Sequence, residues 1–175
     1  IYCLILWTIF DLSLNYSHRV KPNIIWMSST LTFLIFLMIL SGGLVAGTRA
    51  GIPFPTWPLM GDTFIPPQIY SMTPSWLSAF EDMATIQFNH RIFAYLLTIF
   101  IIVFSIFLFT SNAPRFLKRS AIVLIVCLAL QVILGISTLL LYIPIPIAAG
   151  HQVGAVALLS VSLFITHSCL SKKQI

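Results

Sequence analysis

Four stretches of this chain stay apolar for long enough to cross a lipid bilayer: Ile24 to Ala46, Ile92 to Phe109, Ala121 to Leu141 and Ala148 to Cys169. A hydrocarbon core of about 30 Å takes roughly 20 mainly apolar helical residues. In lipid a helix satisfies its own backbone, whereas an open sheet edge cannot. The pattern predicts an all-α polytopic membrane protein, an up-down bundle of four transmembrane helices. A fifth apolar run, Ile1 to Leu12, is too short to cross and has no basic flank, so it reads as the end of a preceding helix rather than a signal peptide. The expected organisation is residues 1–12 as that helix end, 13–23 as an inner loop, 24–170 as the four-helix bundle with an outer loop over 48–89, and 171–175 as an inner tail.

A mean hydropathy of +1.03 and a charged fraction of 7% make the bilayer the solvent of this chain. The few cations then report orientation. Arg19, Lys21, Arg115, Lys118, Arg119, Lys172 and Lys173 all fall on one side, which the positive-inside rule makes cytoplasmic or its mitochondrial-matrix equivalent. Arg49 lies on the other side with Asp62, Glu81 and Asp82, and Arg91 stands just inside the second span. The net charge of +5 is therefore a topology signal, and no nucleic-acid partner is expected. Cys3, Cys127 and Cys169 lie in or beside spans, with no CxxC pair, which argues against a disulfide framework or a zinc site.

The outer loop is dense in Pro and aromatics, including Pro53, Phe54, Pro55, Trp57, Pro58, Phe64, Pro66, Pro67 and Tyr70. Such a segment is too apolar for a disordered linker and predicts a folded cap on the outer membrane surface. Thr73 before Pro74 predicts a helix start. Trp76, Phe80 and Met83 follow at helical spacing, as in a short amphipathic helix lying in the interface.

His90 and His151 carry the candidate chemistry. His90 stands just before the second span and His151 is the fourth residue of the fourth, and these spans run in the same direction, so both imidazoles arrive at one depth. In a four-helix bundle, inward side chains of the second and fourth helices meet across the core. Ala94 and Ala155, one turn below the histidines, Gly154, and Gly42, Gly43, Gly47 and Gly135 on the other helices would leave room for a flat macrocycle. That is the arrangement of a bis-histidine haem site. The same glycines equally suit close helix packing, and each histidine alone equally suits an interfacial hydrogen-bonding role. His167, 16 residues beyond His151 and so roughly 24 Å deeper, belongs to the inner side with His18.

Five ordered motifs carry a resemblance: Leu44-Val-Ala-Gly-Thr-Arg-Ala-Gly51, Thr56-Trp-Pro-Leu-Met-Gly61, Gln87-Phe-Asn-His-Arg91, Gln131-Val-Ile-Leu-Gly135 and Gly150-His-Gln152. Together they resemble the C-terminal half of the haem A synthase family, membrane oxidoreductases that mature the haem of cytochrome oxidase. Pro55 replaces an expected Asn before Thr56. The resemblance implies two four-helix bundles in tandem, the N-terminal one holding haem O and oxidising its methyl group to the formyl group of haem A. This half would hold a haem b cofactor, with His90 and His151 as iron ligands. Catalytic groups would lie in the other half.

Iron held by two imidazoles has no open position, so such a centre moves electrons. Its propionates need cations at the outer boundary, and Arg49 and Arg91 are the candidates, with membrane anchoring as the alternative for Arg91 and pairing with Glu81 or Asp82 for Arg49. Gln152 and Gln87 are candidates to orient the imidazoles, and Gln131 to bond across helices. Other partners implied are the lipid bilayer, haem O synthase, oxidase assembly factors or a second copy. The membrane would be the bacterial plasma membrane or the mitochondrial inner membrane, with the outer loop on the periplasmic or intermembrane-space side. Two other readings stay open: a b-type cytochrome that only relays electrons, and a haem-free membrane protein with interfacial histidines.

Overall fold

The computed structural model describes residues 1–14 and 20–171, so His18, Arg19, Lys172 and Lys173 lie outside the described residues. The chain forms α1 (Tyr2–Ser13), α2 (Pro22–Gly47), a 3₁₀ turn (Ser75–Leu77), α3 (Ser78–Glu81), α4 (Met83–Thr110), α5 (Arg115–Leu140) and α6 (Ile145–Leu170). Among the described residues, α2, α4, α5 and α6 are the four helices long and apolar enough to span a membrane. The protein is an all-α polytopic membrane bundle.

Several boundaries differ from the sequence expectation; α5, for one, starts at Arg115 rather than Ala121. Helix α4 starts at Met83 rather than Ile92, so the outer connection closes at Asp82 and not at Asn89. The cause is a cap: Asp82 Oδ2 accepts from the Thr85 backbone N–H at 2.8 Å and from its hydroxyl, satisfying donors that an α-helix start leaves free. His90 consequently lies inside the helix, not before it. Thr73 caps nothing, because the 3₁₀ turn begins at Ser75 with Pro74 in front of it. Met83 belongs to α4, and only Trp76 and Phe80 remain in the short turns, where they are 64% and 58% exposed, as an interfacial segment should be.

The chain divides into two compact units. One comprises Ile1–Phe36, Leu97–Ala129 and the α6 segment from Ala155. Its core is built from single helix faces: Ile24, Ser28, Leu31 and Ile35 on α2, Ile101, Phe104, Ser105 and Leu108 on α4, and Leu117, Ala121 and Leu124 on α5, all buried. The three-and-four spacing turns one stripe of each helix inward and leaves the rest to lipid. Lipid gives helices no hydrophobic reason to associate, so hydroxyl contacts matter. Thr32 and Thr166 share a 2.9 Å hydrogen bond, and α1 is tied to α6 by Tyr2 and Ser160 at 2.6 Å. His167, only 1% exposed, bonds through Nε2 to Asp11 at 2.7 Å and takes the edge of Trp7. All three cysteines are free.

The second unit comprises Leu37–Leu96 and Leu130–Gly154 and holds the outer connections. The loop from Thr48 to Asp82 is folded. Thr56 donates to the Leu59 carbonyl and accepts from the Gly61 N–H, and Gly61 takes a left-handed φ of 69° to close that turn. The Tyr70 hydroxyl donates to Asn89, and its N–H donates to Thr85. In the α5–α6 turn Tyr142 and Ile143 are both left-handed, with φ of 59° and 60°, and the Ile143 side chain packs against Gly51.

Candidate functional site

Within the second unit, α4 presents His90 as its eighth residue and α6 presents His151 as its seventh. Each lies roughly 10 Å below its helix start at about 1.5 Å per residue. The two positions are thus matched along their own helices.

Each ring is seated against a glycine of another helix. A Cβ on Gly42 of α2 would stand 3.4 Å from His90 Cε1, and one on Gly135 of α5 would stand 2.9 Å from His151 Cε1. Gly135 therefore makes room for the ring of His151. Gly43 and Gly47 face open space, whereas Gly154 receives the side chain of Gln131. His90 Nδ1 is hydrogen-bonded to Ser41 Oγ at 3.1 Å. His151 Nδ1 is buried without a partner. Ser41 escaped the sequence reading, since one hydroxyl in a long apolar run is unexceptional; its position one residue before Gly42 was the available signal.

The remaining candidates divide. Ala94 lies one turn inward from His90 and is half-buried, while Ala155 opens the α6 segment that belongs to the first unit. Arg91 does not point to an empty outer boundary: Nη2 donates to the carbonyls of Thr56 and Phe54 at 2.8 and 3.1 Å, and Nη1 to those of Leu59 and Pro58 at 3.1 and 3.5 Å. A guanidinium so engaged is a clamp for the loop. Gln87, one turn before it, donates to the same Phe54 carbonyl at 3.0 Å, so it too holds the loop and not an imidazole. Arg49 and Gln152 are both exposed. Asp82 is committed to the α4 cap and makes no pair with Arg49.

Among the described residues no cluster of three or more His, Cys, Asp or Glu could bind a bare metal ion. Two imidazoles alone suit an iron whose remaining positions come from a macrocycle. Ser41 on the far nitrogen of His90 is the outer contact that a metal-binding imidazole ordinarily has.

The fold is that of a multi-pass membrane protein whose second unit carries two histidines, His90 and His151. A family model described as a cytochrome oxidase assembly protein matches residues 1–163, and the chain belongs to this haem A synthase family. It is 38% identical over 172 residues to the haem A synthase of Nitrosospira multiformis, covering 95% of this chain and 48% of that protein. It is 43% identical over 142 residues to the haem A synthase of Paracoccus denitrificans, covering 81% and 37% respectively. To the haem A synthase COX15 of Mus musculus it is 36% identical over 170 residues, covering 94% and 41%. The chain thus spans about half the length, or less, of the curated relatives it matches. No solved structure matches it.

Proposed function

We propose that this chain is the haem b-binding half of a haem A synthase, the oxidoreductase that converts the methyl group of haem O to the formyl group of haem A. One observation carries the reading: two imidazoles from α4 and α6, at matching positions along their own helices, are each seated against a glycine in a chain of this family. His90 and His151 would each give one nitrogen to the iron. When bound, the haem would supply one-electron chemistry, and iron held by both imidazoles would offer no place to oxygen.

The residues divide the remaining work. Ser41 holds Nδ1 of His90 and leaves Nε2 available. Ala94 leaves space beside the ring, and the exposed Arg49 is the outer cation for a propionate. Arg91 and Gln87 fix the loop to the helix that carries His90. Residues 24–170 would be the haem-binding bundle and α1 the end of the preceding half, where haem O would be oxidised. Lys21, Arg115, Lys118 and Arg119 support an inner position for the opposite end, with the loop on the periplasmic or intermembrane-space side.

Reduced-minus-oxidised spectra of the purified protein test the assignment. One low-spin, six-coordinate b haem is expected. His90→Ala and His151→Ala should remove or shift its bands, while His167→Ala, whose ring is paired with Asp11, should keep them. An unchanged spectrum in His90→Ala would overturn the reading.

A further inference from the structure

One groove of the first unit is cationic at its mouth and apolar further in. It measures about 340 Å³ and is lined by Arg119, Ser120 and Val123 of α5 and by Ser160, Val161 and Phe164 of α6. Spacings of three and four put each trio on one face of its helix. Arg119 stands four residues past the start of α5 at Arg115, and Ser160 stands ten before the end of α6 at Leu170. At about 1.5 Å per residue the lining therefore runs from roughly 6 to roughly 15 Å in from those helix ends, with the cation at the shallow limit.

The deeper part asks nothing polar of an occupant. Ser120 Oγ donates to the Phe116 carbonyl at 3.0 Å and Ser160 Oγ to the Val156 carbonyl at 2.7 Å, and Ser160 also receives the Tyr2 hydroxyl at 2.6 Å. Both hydroxyls thus spend their protons within the protein, and an apolar chain can lie over them without stranding a donor. The mouth is different. Arg119 and Arg115, one helical turn apart, are exposed, whereas Lys118 is turned to the Phe109 carbonyl at 3.1 Å. The sequence of this unit holds one acidic residue, Asp11, and that carboxylate is bonded to His167. A protein helix laid in the groove would have to bring its own carboxylate to Arg119. A phospholipid brings an anion and hydrocarbon in one molecule, in the order the groove presents them.

We propose that this groove binds a phospholipid with an anionic headgroup, its phosphate held by Arg119, with Arg115 adding charge, and one acyl chain laid along Val123, Val161 and Phe164. The positive-inside rule assigns these cations to the inner leaflet, the one whose anionic lipids give the membrane surface a negative potential. Neither His90 nor His151 takes part, so the inference stands or falls apart from the haem reading.

The full chain is purified and placed in nanodiscs of phosphatidylcholine that carry a small fraction of either phosphatidylglycerol or phosphatidylcholine with a photoreactive acyl chain. After illumination, mass spectrometry measures the label on residues 160–164. The parent protein should take several-fold more label from the phosphatidylglycerol probe. Arg119→Gln should bring the two probes level. Val123→Trp fills the groove with an apolar side chain and should lower labelling by both probes, whereas Ile122→Trp, at a neighbouring exposed position of α5 outside the lining, should label as the parent does. Equal labelling of the parent by both probes overturns the inference even if no variant folds, and leaves the groove as ordinary lipid-facing surface. No label from either probe overturns it in favour of a protein segment or a second copy in the groove. Selectivity that persists in Arg119→Gln moves the headgroup elsewhere, and selectivity that persists in Val123→Trp reduces Arg119 to an interfacial anchor; either result overturns it as well.

Discussion

Gly135 and His151 stand so close that alanine at residue 135 would bring a methyl carbon to 2.9 Å from the imidazole Cε1, while the corresponding approach of Gly42 to His90 is a looser 3.4 Å and Gly43 meets nothing within 4 Å. The glycines that look interchangeable in the sequence are therefore graded by what their missing methyl group would strike.

The grading predicts an order of effects in purified protein. Gly135→Ala should reduce the haem-to-protein ratio several-fold and cost about 1–3 kcal/mol, as forcing extra volume into a packed site does. Gly42→Ala should produce a smaller loss, and Gly43→Ala none. Haem content measured by pyridine haemochrome checks the series, and equal losses at all three positions would contradict it.

The two outer arginines should separate. Arg91→Gln removes the clamp on four loop carbonyls, and charged hydrogen bonds contribute about 1.5–3 kcal/mol each, with losses shared when one side chain makes several. Hydrogen exchange and proteolysis across residues 54–59 should rise sharply. Arg49→Gln should leave the loop protected and lower the haem midpoint potential by an amount on the order of tens of millivolts, since losing a nearby cation favours the oxidised iron. Loop protection that survives in Arg91→Gln would show that the clamp is dispensable.

The α5–α6 turn offers a pair with opposite signs. Tyr142 is left-handed and 80% exposed, so Tyr142→Gly relieves a conformation that costs an L-residue about 1–2 kcal/mol and loses little packing. Thermal unfolding in detergent, where interfacial anchoring does not enter, should show a net gain of about 0.5–1 kcal/mol. Ile143→Gly relieves the same conformation but removes the contact with Gly51, and should be destabilising.

The sequence made the four spans and the histidine pair legible because lipid imposes a blunt rule: helices must be apolar for about 20 residues, and a histidine among them stands out. It misplaced the start of α4 because Thr85, Gln87 and Asn89 are polar, and hydropathy stops counting there. These residues are helical all the same, with Asp82 capping the turn and Thr85, Gln87 and Asn89 all bonded to the loop. Arg91 looked like a free cation for the same reason, since nothing in the linear pattern shows four carbonyls converging on it. Ser41 and the seating of His151 on Gly135 depend on which faces of two helices meet. A single sequence does not record that.

Gln87, His90 and Arg91 occupy little more than one turn of α4, so the loop and the imidazole hang from the same rigid segment. Evolution is then free in one place and bound in another. Residues can be added or lost near the exposed Pro67 and Gln68, where the chain only bridges fixed points. A single insertion between Asp82 and His90 would rotate everything beyond it by about 100°, turning His90 away from Ser41 or the loop anchors away from the loop. Length variation among members of this family should therefore gather in the middle of the outer loop and stop short at the aspartate that opens α4.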